Sequence, residues 1–190
     1  ILMIVVLDSP TIGEIKKHLN MEKPFKIRNY MNNWKCFKNW NIDFFRQNFG
    51  DTLLAVKECN RDYLIPMTME DYLDYYEDPN DNRLLYASDI QISQLSQSLY
   101  KDFDFTPASQ NDIFCKLNRF LNNFNIKRNI DWVYIGKKNT FTTLHTDIYD
   151  TNAWLGVLEG KKIFYFYSRQ DTKTMIEKLI IGKSVDCENV

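Results

Sequence analysis

The apolar pattern of this chain changes at Ile130, and that change limits the possible folds more than any other feature. Downstream, Trp132 to Ile135, Phe141 to Asp147, Ala153 to Leu158 and Lys162 to Tyr167 are β-branched or aromatic runs. Only Gly-Lys-Lys-Asn, an Ile-Tyr-Asp loop and Glu-Gly separate them, a spacing that predicts closely connected antiparallel strands. Upstream the periodicity is mainly helical. Helices first and a strand meander later is an α+β order, and a small barrel or double-sheet jelly roll is the natural closure for such strands. Residues 1–190 read as a single domain, with 1–129 an N-terminal portion of helices and strands and 130–190 the first part of the barrel core.

Several upstream elements carry their own boundary signals. Ile12, Ile15 and Leu19 recur at helical spacing within Thr11 to Leu19, and Phe25-Lys26-Ile27 after Pro24 reads as a short strand. Asn41 can cap a helix through Phe44, Phe45 and Phe49 that ends at Gly50, where a left-handed residue is least costly. Leu53 to Val56 follows as a strand. Thr68 with Asp71 resembles a capping box, Met67 can staple onto Tyr72, and the helix runs to about Glu77. Pro79 to Asn82 is a turn, and Leu84-Leu85-Tyr86 is extended. Ile92 to Asn129 is polar with scattered aromatics and reads as short helices. Trp34, Trp40 and Tyr76 are expected in the core.

The 24 Lys and Arg against 25 Asp and Glu give a net charge of −1, which leaves no basic footprint for nucleic acid. Cys36, Cys59, Cys115 and Cys187 contain no C-x-x-C pair, arguing against a zinc cluster or a disulfide framework and for reduced thiols in the cytoplasm or nucleus. The longest apolar run, Ile1 to Leu7, falls far short of the ~20 residues that span a bilayer. It reads as an edge strand, the alternative being the tail of a signal segment. Oligomeric state is not encoded in any of these features.

Chemistry enters with His145 and Asp147. Residues two apart in a strand project from one face, so this pair would offer an imidazole nitrogen and a carboxylate oxygen to one point. Nitrogen with hard oxygen suits iron(II) in a two-histidine-one-carboxylate triad with open positions. A lone His-x-Asp is a weak motif; its surroundings are more specific. Trp132-Val-Tyr-Ile-Gly, then Thr142-Thr-Leu-His145-Thr-Asp147, Asn152-Ala-Trp154 and Gly160-Lys-Lys162-Ile-Phe-Tyr-Phe resemble, in order and spacing, the core of jumonji-C (cupin-type) iron(II)- and 2-oxoglutarate-dependent oxygenases, notably their lysyl-hydroxylase branch. Pro24 to Tyr30 with Trp34, Trp40 to Asp51, Met67 to Tyr75 and Leu84 to Asp89 continue the resemblance upstream.

The resemblance implies a double-stranded β-helix barrel, incomplete at its C-terminal end, and iron(II) held by His145, Asp147 and a second histidine. Only His18 and His145 occur here, and His18 reads as a cation at a helix C-terminus; the third ligand is expected beyond Val190. Two ligands alone predict weak iron binding and poor catalysis by these 190 residues. Lys162 is implied as the partner of the distal 2-oxoglutarate carboxylate, with Thr142 as hydroxyl donor and Tyr86 as a further hydrogen-bonding group; strand alternation alone would favour Thr143 over Thr142. Lys162, Phe164 and Phe166 would share one strand face, and Lys161 would point outward. Leu155 stands where relatives carry an asparagine, and Asn152 nearer its place in asparaginyl hydroxylases; neither receives a role. The implied reaction couples decarboxylation of 2-oxoglutarate to hydroxylation, or demethylation by hydroxylation, of a protein side chain. A non-catalytic jumonji-like or cupin-like binding scaffold and a cupin enzyme using metal without 2-oxoglutarate are the rival readings.

Overall fold

The structure is a computed structural model that describes residues 4–21, 23–59, 61, 63–104, 131–147, 153–168 and 170–174. It divides into two units, Ile1–Glu159 and Gly160–Val190. In the first, β1 (Val5–Asp8) pairs in parallel with β2 (Phe25–Arg28) across α1 (Ile12–Leu19). Thr11 opens α1 with a full capping box: its side chain accepts from Glu14 N at 3.3 Å, and Glu14 accepts from Thr11 N at 2.8 Å. The box expected at Thr68 is only half made. Thr68 Oγ1 accepts from Asp71 N at 3.0 Å, but the Asp71 carboxylate takes the Thr68 hydroxyl at 2.6 Å, because Asp is one methylene shorter than the Glu that reaches back to the cap N–H.

After α2 (Lys35–Asn39), Asn41 caps α3 (Ile42–Phe49) through Phe44 N at 2.8 Å. The left-handed ending expected at Gly50 is not adopted: its φ is −49°, ψ −42°. A Cβ there would lie 2.9 Å from Arg46 O and 3.0 Å from Glu70 Oε2, so close packing of α3 on the next helix explains the glycine. That helix, α4 (Met69–Glu77), buries Met69, Tyr72, Leu73 and Tyr75 on one stripe. The Arg46 guanidinium spans the exposed side of the contact, meeting Glu70 at 2.5 Å, Asp74 at 2.7 Å and Glu77 at 2.7 Å.

Strands β3 (Leu53–Glu58), β4 (Leu64–Thr68), β5 (Leu85–Gln91) and β6 (Trp132–Gly136) form an antiparallel sheet in the order β4-β3-β5-β6. Strand β4, which contains Pro66, stands at an edge, the place where a residue without an N–H is tolerated. Leu54, Val56, Leu85, Ala87, Val133 and Ile135 meet α4 on one face of the sheet, and Trp34, Trp40 and Tyr76 belong to or pack against this core, as expected from the sequence. Tyr72 secures the contact: its hydroxyl donates to Ile135 O at 2.6 Å and accepts from Ala87 N at 3.2 Å. The core alternation slips between Ala87 and Ile90, where β5 carries an extra residue opposite β6 and Asp89 adopts φ 59°. This is a β-bulge, which re-aims side chains. A short α5 (Ile92–Leu95) and a 3₁₀ turn (Gln97–Lys101) follow, in keeping with the short helices expected there; residues 105–129 of that stretch lie outside the described residues.

The chain is thus α+β, with mixed helices and an antiparallel sheet not closed into a barrel. Of the four strands expected after Ile130, only Trp132–Gly136 joins the sheet. Among the described residues Phe141 to Asp147, Ala153 to Leu158 and Lys162 to Tyr167 form no ladder. Strand preference reflects fit to a pleated, half-buried surface, and these runs are largely exposed. No helix among the described residues is long and apolar enough to cross a membrane.

Candidate metal site

Alternation in β6 sends Val133 and Ile135 into the core and Tyr134 and Gly136 to the opposite face of the sheet. Tyr86, between core residues Leu85 and Ala87, faces the same side. Its ring lies across Gly136, where a Cβ would approach it to 2.9 Å and Thr140 Oγ1 to 2.4 Å; only glycine fits. Tyr86 is buried, and its ring centroid is 6.2 Å from that of Tyr134. The Tyr134 hydroxyl donates to Asp89 at 3.0 Å, the residue re-aimed by the bulge. Burial first, then Asp89, Tyr86 and Asp147, push the Tyr134 phenol far above its usual value, so it is a neutral donor throughout the physiological range. Neither Tyr134 nor Asp89 received a role from the sequence; the slip from Leu85 and Ala87 to Ile90 was the signal for the bulge.

Beyond β6 the chain turns through Lys137 to Thr140 and runs irregularly to His145 and Asp147. Although the expected strand is absent, the two side chains converge, with His145 Nε2 3.6 Å from Asp147 Oδ1. His145 Nδ1 lies 2.8 Å from the Thr143 carbonyl. A carbonyl can only accept, so Nδ1 is the donor in this contact, and in the neutral imidazole the remaining lone pair lies on Nε2, the ring nitrogen facing Asp147. Two acceptors then face one point, an arrangement relieved by a cation between them or by a proton on Nε2. Neighbouring ligand atoms of an octahedral ion stand roughly 3 Å apart, within a small side-chain adjustment of the observed pair. The Nδ1 contact is also the usual second hydrogen bond of a metal-binding histidine. As an ion pair alone the contact would contribute little, both side chains being more than two-fifths exposed. Among the described residues no third His, Cys, Asp or Glu completes a ligand set.

The other expected residues fall as follows. Thr142 and Thr143 are exposed, the latter engaged through its carbonyl. His18 ends α1, its Nδ1 2.9 Å from Glu14 O and its ring 5.5 Å from that of Phe25, as expected of a helix-terminal histidine. Asn152 lies outside the described residues; Leu155 is exposed. In the second unit, Gly160–Val190, Lys162 stands over the Phe164 ring at 5.9 Å, and Phe164 stacks on Phe166 at 5.7 Å with planes 11° apart. The alternation expected of a strand persists in these contacts, while Ile163 and Tyr165 are 76% and 70% exposed. Ser168 then caps a helical segment at 170–174, accepting from Asp171 N at 3.1 Å.

The family model described as a cupin-like domain matches residues 12–188. This chain belongs to the cupin-like family. Its cupin-like sequence is 23% identical over 157 residues to the lysine-specific demethylase JMJ21 of Arabidopsis thaliana, covering 83% of this chain and 16% of that protein. It is 26% identical over 159 residues to the 2-oxoglutarate and iron-dependent oxygenase JMJD4 of Mus musculus, covering 70% and 35%. It is 22% identical over 156 residues to the bifunctional arginine demethylase and lysyl-hydroxylase psr-1 of Caenorhabditis elegans, covering 80% and 38%. The resemblance to jumonji-type oxygenases, including a lysyl hydroxylase, is thereby borne out at the level of the family. The chain spans less than two-fifths of the length of these cupin-like relatives.

Proposed function

We propose that the chain carries the metal-binding part of an iron(II)- and 2-oxoglutarate-dependent dioxygenase that hydroxylates a protein side chain or demethylates one by hydroxylation, and that residues 1–190 act as one cupin-like domain. The observation that carries this reading is the convergence of His145 Nε2 and Asp147 Oδ1, with the histidine tautomer fixed by Thr143. Bound iron(II) and 2-oxoglutarate would supply the oxidising chemistry. The protein's part is to bind and orient. His145 and Asp147 occupy two ligand positions, and Asp147 acts as a ligand rather than as a base. By the family resemblance, Lys162 would be the partner of the distal 2-oxoglutarate carboxylate, and Thr142 and Tyr86 would supply hydroxyls to it. The relatives named as acting on lysine or arginine support a protein substrate.

Iron-dependent formation of succinate from 2-oxoglutarate by the full-length protein tests the reading. His145→Ala is expected to abolish turnover, and Lys162→Ala to raise the 2-oxoglutarate concentration needed for half-maximal rate. Equal turnover in both variants and the parent would overturn the site. Metal binding that depends on His145 with no succinate formed would favour the binding scaffold.

A further inference from the structure

The His145–Asp147 pair lies outside the sheet, so something other than a strand ladder must fix the segment that carries it. The ladder ends at Gly136. The next residue, Lys137, places its ammonium among three main-chain carbonyls, Tyr75 O at 3.2 Å, Asp81 O at 2.9 Å and Asp78 O, and 4.8 Å above the Tyr75 ring. A lysine ammonium has three donors, and three carbonyls satisfy them. Tyr75 and Asp78 belong to the C-terminal end of α4, where unpaired carbonyls concentrate negative potential. The chain then turns back on itself: Thr140 N and Oγ1 donate to Lys137 O at 3.1 Å and 2.8 Å, with Asn139 at φ 72°. Asn tolerates that left-handed position better than most residues.

Phe141 is held next. Its N–H donates to Cys59 Sγ at 3.3 Å, and the thiol donates to Phe141 O at 3.3 Å. Cys59 is itself buried at the end of β3 and fixed by its N–H to Leu84 O at 2.8 Å. The segment is thus tied to α4 at position 137 and to the end of β3 at position 141, the latter only four residues before His145.

We infer that Lys137 and Cys59 are positioning residues for the His145–Asp147 pair, holding the irregular segment so that imidazole and carboxylate converge before any cation arrives. The inference rests on the metal reading of that pair. Each anchor is a side chain gripping main chain, so their effect falls on the placement of the segment and not on its charge. The carbonyls around Lys137 are partly exposed, so water can replace the ammonium and Lys137→Met is expected to fold.

Cobalt(II) titration of the full-length protein, followed by visible absorption, provides a readout independent of turnover. The cobalt band should be lost in His145→Ala. Lys137→Met and Cys59→Ala should each weaken cobalt binding by about 10- to 100-fold, the range for outer-shell partners of metal ligands. Cys59→Ser, which keeps a donor and acceptor, should retain more affinity than Cys59→Ala. Amide exchange over residues 140–147 of the metal-free protein should speed up in both anchor variants while that of Tyr72 to Tyr75 is unchanged. Loss of the band in His145→Ala with parental cobalt affinity in Lys137→Met and Cys59→Ala overturns the positioning role alone, and so does a lowered melting temperature without a change in affinity. Retention of the band in His145→Ala overturns the metal reading and this inference with it. If Lys137→Met does not fold, the two Cys59 variants decide.

Discussion

Val133 and Ile135 in β6 and Phe141 and Leu144 just beyond it are all large apolar residues, yet the first pair is 9% and 7% exposed and the second 41% and 57%. The difference lies in what each run meets. The β6 residues find a hydrogen-bonded neighbour in β5 and the buried stripe of α4. Among the described residues the later run joins no ladder, and its main chain is tied down through Lys137 and Cys59. Stability therefore resides in the helix-backed sheet, while the groups suited to metal chemistry sit on a tethered segment beside it. This separation suits a site whose acceptors must converge without a strand ladder, since such convergence adds little to folding.

The contrast can be broken most directly by truncating one apolar residue in each region. Leu73, fully buried on α4, should cost about 2–5 kcal/mol on replacement by Ala, whereas Leu144→Ala should stay within about 0.5 kcal/mol, as read from urea midpoints. Equal losses would mean the segment is part of the core. Tyr72→Phe is the next largest effect. It leaves Ala87 N and Ile135 O without their buried partner and should cost about 1–3 kcal/mol, with cobalt affinity of the folded protein unchanged. A change in affinity would show that the helix–sheet contact and the metal pair are coupled.

The smallest expected effect sharpens the comparison at its junction, the turn whose carbonyl at Asp81 receives Lys137. Hydrogen bonds from the Arg83 side chain and main chain, then the charges of Arg83 and Lys137, hold the Asp81 carboxyl down at about 2, against an ordinary 3.8. A depressed carboxyl stabilises the fold above its unfolded value, and that contribution disappears as pH falls from about 4 through about 2. Asp81→Asn should therefore lower stability modestly near neutrality and flatten the acid limb of the profile in that window, the variant and parent converging below about pH 2. A variant with the parental acid limb would place the sensitivity elsewhere.

Much of the helix-backed region was legible in the sequence because its signals are local. Asn41 ahead of Phe44, Thr68 with Asp71, and the apolar run Trp132 to Ile135 each state a boundary or a strand within a few residues. Gly50 was read correctly as an ending but for the wrong reason, since its need arises from Arg46 and from Glu70 on another helix. Strand β4 went unread because Pro66 argues against a central strand and says nothing of an edge. In the candidate site, His145 and Asp147 were found by type and spacing, and the structure brings them together without the strand that motivated the pairing. The bulge at Asp89 shows in the sequence only as the slip from Leu85 and Ala87 to Ile90, and Lys137 and Cys59 gave no local signal, because a cage of carbonyls and a thiol clasp are defined by partners distant in sequence.

By itself, then, the sequence determined the capped helices, the faces of β6 and the identity of the two acceptors, because capping, alternation and ligand chemistry act over a few residues. Tertiary structure alone decided which apolar runs became strands and how the His145–Asp147 segment is held. A ladder needs a neighbouring edge, a buried face needs an opposing surface, and an ammonium at a helix end needs carbonyls that only the folded chain assembles.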